Sequence, residues 1–96
     1  MSHTQFHIIL QVMTPGGFEP FGEFLLGTDQ QFAENIFQQL KGRADCGYTD
    51  LLQIDLVEKG EGLPRQLQMI SCCLEDIAEN CRIITREIFR YRSLES

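Results

Sequence analysis

Two groupings in this 96-residue chain have side chains of the types and spacing that could do chemistry. The first is Cys72-Cys73, set directly before Leu74-Glu75-Asp76. At a helix N-terminus, unpaired N–H groups and the macrodipole lower a thiol's pKa and yield a nucleophilic or metal-ligating thiolate. Glu75 and Asp76 occupy the same turn, however, and their charge opposes a thiolate, so the expectation is a protonated, non-catalytic thiol. The second grouping is His3 and His7, whose near-neutral titration suits base or metal chemistry. On one strand they share a face but stand roughly 13 Å apart, at about 3.3 Å per residue. They cannot jointly grip one ion without a bend.

Nothing else in the sequence supplies machinery. There is no Walker loop, GxGxxG, HExxH, GxSxG or EF-hand pattern, and no Cys-x-x-Cys knuckle of the kind that builds a tetrahedral zinc site. Gly16-Gly17 is followed by a strand pattern, so no helix N-terminus stands behind it to receive a phosphate. The expectation is therefore no catalytic residues, no cofactor site and no metal site. Arg82, Arg86 and Arg90 recur every four residues and line one side of the last helix. Their forks could hold carboxylates or phosphates, but pairs such as Glu79 with Arg82 and Glu87 with Arg90 make a solvated face the simpler reading.

Composition narrows the partners. A net charge of -6 opposes nucleic acid as the main partner, because neutralising phosphates supplies most of that affinity. No apolar run approaches the roughly 18 residues of a membrane span, and Met1 to Met13 lacks a basic n-region and cleavage site. The expectation is a cytoplasmic protein without a membrane partner. Its four cysteines, Cys46, Cys72, Cys73 and Cys81, then read as reduced, small apolar residues.

The elements that must position these residues come twice. Phe6, Ile8, Leu10 and Val12 alternate with Gln5, His7, Ile9, Gln11 and Met13, a strand with one face in the core. Thr14-Pro15-Gly16-Gly17 turns the chain, with Pro setting φ and the next glycine taking positive φ. Phe21 to Leu26 is a second strand that Pro20 can start but not interrupt. Thr28 and Gln31 form a capping box for a helix whose stripe is Phe32, Ile36 and Leu40, ended by Gly42 in the left-handed C′ position. Arg43 to Thr49 is a linker. The pattern then recurs: Leu52 to Val57, a turn at Lys59-Gly60-Glu61-Gly62, a strand from Arg65 to Cys72, and a helix to near Arg92 with Leu74, Ile77, Ala78, Cys81, Ile84 and Ile88 inside. Ala-Glu-Asn stands in both helices, at positions 33–35 and 78–80, after the second strand-like run of each half.

The expected fold is a single α+β domain of two layers, ββα-ββα, whose pseudo-repeat halves are 4–42 and 50–92. A four-stranded, mainly antiparallel sheet carries both helices on one face. The opposite face would present Gln5, His7, Ile9, Gln11, Met13, Gln53, Asp55, Val57, Gln66, Gln68 and Ile70. It is rich in glutamine, poor in charge and dotted with aliphatics, as interface centres are. Ile9, Gln11, Gln53, Val57, Gln68 and Ile70 are the interface candidates for a homo-oligomer or protein partner, with Arg82, Arg86 and Arg90 as a secondary basic stripe. The alternative is a small-ligand protein or minor enzyme whose pocket between sheet and helix draws on His7, Asp55 and the Cys72-Cys73 turn.

Overall fold

The computed structural model of the chain describes residues 4–42 and 52–95. In order they form β1 (Gln5–Thr14), β2 (Gly17–Gly27), α1 (Gln30–Gln39), β3 (Leu52–Lys59), β4 (Arg65–Cys72) and α2 (Leu74–Glu95). The expected linker at Arg43 to Thr49, Cys46 and His3 fall outside the described residues.

All strand pairings are antiparallel and the order is β2-β1-β3-β4. The first strand of each ββα unit is therefore central and the second is an edge. The central strands have the cleanest period of two. Phe6, Ile8 and Leu10 of β1 and Leu52, Ile54 and Leu56 of β3 are all buried, with Ile8 facing Leu56 and Leu10 facing Ile54 across the ladder. Ala33, Ile36 and Phe37 of α1 and Ile84 of α2 close over the same side, with Ile77, Cys81 and Ile88 packed against the cluster. Helices and core thus lie on one face, and the fold is a two-layer α+β sandwich.

The edge strands are irregular. In β2, Pro20 lies inside the strand opposite Gln11, not at its start. An edge strand tolerates this because one side of its backbone needs no ladder partner. The register slips beside it, where Phe21 is an extra residue between the pairs Gln11–Pro20 and Leu10–Gly22, and again at Leu26. The turn before β2 keeps the expected place, but the positive φ of 114° is at Gly17 rather than Gly16. In β4 the pairs Leu56–Gln68 and Val57–Gln66 leave Leu67 unpaired in a bulge.

The helix ends also differ from the sequence reading. Asp29, not Thr28, is the N-cap of α1, its carboxylate accepting from Phe32 N–H at 3.2 Å. At the other end, Leu40 leaves the helix in an extended conformation, and Gly42 does not have positive φ. Its requirement is spatial, since a Cβ there would meet the Ser71 carbonyl oxygen at 2.7 Å and Ile70 Cδ1 at 2.9 Å. In α2, Leu74 and Ala78 are exposed and Asn80 is buried instead. The Asn80 amide accepts from Lys41 N–H at 2.8 Å and donates to Lys41 O at 2.9 Å, clamping the exit of α1 to α2. Its counterpart Asn35 is exposed, so the shared tripeptide does different work in the two halves.

Candidate functional site

The side of the sheet turned away from the helices is assembled by strand register. Three cross-strand rows build its centre: Gln11, Gln53 and Ser71; Ile9, Asp55 and Met69; His7, Val57 and Gln66. On β2, Leu25 stands opposite His7 and Glu23 opposite Ile9. Ile9, Gln11, Gln53 and Val57 therefore share this face. Gln68 and Ile70 do not. The bulge at Leu67 shifts the period of β4, so Ile70 pairs with core residue Ile54 and packs against the core, while Gln68 sits opposite core residue Leu56. Their places on the open face belong to Met69 and Ser71.

Asp55 dominates the chemistry of this face. It is only 5% exposed although both helices lie on the other side. One carboxylate oxygen accepts from the Gln11 side-chain amide and the other from the Gln53 amide at 2.9 Å. Two uncharged donors from neighbouring positions thus replace much of its water, which is what a buried carboxylate requires. Val57, beside it on β3, is also buried.

Toward the β2 edge the face becomes charged. Glu23 Oε2 accepts from Lys59 Nζ at 2.9 Å and lies 2.5 Å from His7 Nδ1. The His7 nitrogen makes no aligned hydrogen bond there. The hydrogen bond from Lys59 is the main cause holding the Glu23 carboxyl below the usual range; desolvation, next in size, works against it, and the remaining lysine and histidine interactions add to the lowering. This cluster binds β1, β2 and β3 together at one margin.

The thiols lie elsewhere. Cys72 is buried on the helix side, in the core cluster; Cys73 precedes α2 and donates its thiol to Asp76 Oδ2 at 3.2 Å. Hydrogen bonding to Glu75 first, and then to Asp76, pushes the Cys73 thiol above its ordinary pKa and draws Glu75 down. Burial raises Cys81. His7 and Asp55 face one way and Cys72 the other, so the ligand pocket imagined between sheet and helix from these three residues is not assembled. Among the described residues, no group of three or more His, Cys, Asp and Glu side chains could hold a metal ion.

Arg82, Arg86 and Arg90 line α2 with exposed side chains. Arg82 pairs with Glu79 at 2.5 Å, while Arg86 and Arg90 share Glu87 at 3.4 and 3.3 Å. Among the described residues, no helix is long and apolar enough to cross a membrane.

No family model, curated protein or solved structure matches the chain.

Sequence reasoning missed Met69, Ser71, Leu25 and the Glu23–Lys59 pair. The first two were hidden by a bulge that leaves no residue-type signature at Leu67. The others depend on the β1–β2 register, which two irregularities displace.

Proposed function

We propose that this protein is a non-catalytic interaction module that pairs with a second copy through the open sheet face. The observation that carries the reading is Asp55. Association is normally opposed by stripping water from charges, but this carboxylate has already lost its water within one chain and has received two amide donors. Covering it adds little further cost. Around it, Ile9 and Met69 supply apolar surface, and Gln11 and Gln53 supply adaptable polar contacts. Glu23 and Lys59 form a charged margin. An apolar, charge-poor centre inside a polar rim is the usual anatomy of a protein interface.

A two-fold pairing sets this patch against its twin, so any charge introduced near the axis meets its own copy. Gln53→Lys should raise the dimer dissociation constant by at least tenfold, read by sedimentation at micromolar concentration, with an unchanged far-ultraviolet circular dichroism spectrum. Arg86→Glu, on the other layer, should leave this contact intact. An unaltered dissociation constant for Gln53→Lys counts against the reading.

A further inference from the structure

A second apolar surface lies on the helix layer, at the opposite side from the face just described. Val12, Phe21, Leu52, Leu74 and Ile77 line an open groove of about 380 Å³ between the sheet and the start of α2. That volume falls within the range of about 300–1,000 Å³ usual for binding clefts. Phe21 is 53% exposed and Leu74 67%. Its surroundings are acidic: Glu19 stands opposite Val12 in the ladder, and Glu75 and Asp76 follow Leu74 in the first turn of α2.

The same chain carries the complement. Phe89, in the C-terminal half of α2, is 68% exposed. Arg86, Arg90 and Arg92 surround it, all exposed. Fifteen residues separate Leu74 from Phe89, which at 3.6 residues per turn returns to within about 60° of the same side of the helix about 22 Å further along. Ala78 and Thr85 lie between them on this side, and both are exposed. The exposed side of α2 thus has an apolar anchor at each end, in an acidic setting at one and a basic setting at the other.

We propose that this groove receives Phe89 of a second copy, the two α2 helices lying antiparallel. One two-fold axis then seats both phenylalanines at once. The small residues Ala78 and Thr85 face each other across it, so the helices can approach. Each acidic first turn lies along the arginines of its partner, and the antiparallel macrodipoles add to the attraction. Arg82 approaches its own copy near the axis, where its ion pair with Glu79 offsets the repulsion. The pairing uses none of the open sheet face, so the two surfaces succeed or fail separately.

The test places a benzoylphenylalanine photo-crosslinker at position 89 of the full chain carrying Gln53→Lys, which disables the sheet face. Unlabelled chains are mixed with ¹⁵N-labelled chains before irradiation. The expected product joins a light and a heavy copy, with position 89 linked to Phe21, Leu74 or Ile77 or their immediate neighbours. Leu74→Lys, at an exposed site, should cut its yield at least tenfold. Crosslinks that stay within one copy, that map to the open sheet face, or that ignore Leu74→Lys overturn the proposal.

Discussion

Asp29 and Asn80 show at the residue scale how one side chain settles where an element begins or what it meets. Asp29 takes the cap from Thr28 because its carboxylate, and not the preceding hydroxyl, lies over the first helical N–H groups. Both residues cap well on paper, and only the backbone angles decide between them. Asp29→Ala should therefore cost about 1 kcal/mol in urea unfolding, while Thr28→Ala should fall within about 0.5 kcal/mol of wild type. Asn80 is less replaceable. Alanine leaves the Lys41 N–H and carbonyl without the partners that bridge the two helices, a loss of about 2 kcal/mol or more. Aspartate keeps an acceptor for the N–H but sets a charge against the carbonyl, so Asn80→Asp should be at least as damaging in the same measurement. At Cys73 the acidic turn controls reactivity. Labelling by a thiol reagent at neutral pH should be slow, and Glu75→Gln with Asp76→Asn should accelerate it by releasing the carboxylates that hold the proton in place.

At the scale of elements, the central strands were legible because Phe6, Ile8 and Leu10, and again Leu52, Ile54 and Leu56, recur at every second position, and a strand with one committed face has one register. The same rule failed on β4. Leu67, Met69 and the residues around them look like a regular alternation, but one bulged residue exchanges the faces of everything beyond it. This moves Ile70 into the core and Met69 out. The consequence is measurable: Ile70→Lys should destabilise the fold by several kcal/mol through a charge placed against the core, whereas Met69→Lys should leave the urea midpoint close to wild type. The reverse ranking would return β4 to the regular register. The element order and the shared face of the helices followed from the sequence, while the Glu23–Lys59 contact did not, because it needs the irregular β1–β2 pairing. That contact also carries a pH signature. Glu23 has a depressed pKa in the fold, so its contribution is present above the usual carboxylate pKa of about 4.3 and is lost as pH falls through the lower folded value. Glu23→Gln should flatten the acid limb of the stability curve only slightly, because the pair is well exposed and screened by solvent.

For the whole molecule, the two layers divide the work. The helix side buries the core and clamps the second helix through Asn80. The other side keeps a carboxylate already satisfied by glutamines among Ile9, Val57 and Met69, and that combination is the basis of the proposed pairing. The most direct measurement is sedimentation equilibrium of the Leu74→Lys protein, in which the groove on the helix layer is disabled, compared with the same protein also carrying Gln53→Lys. The first should be a dimer at micromolar concentration and the second a folded monomer. A monomeric Leu74→Lys protein, or a dimer unchanged by Gln53→Lys, would contradict the proposed pairing.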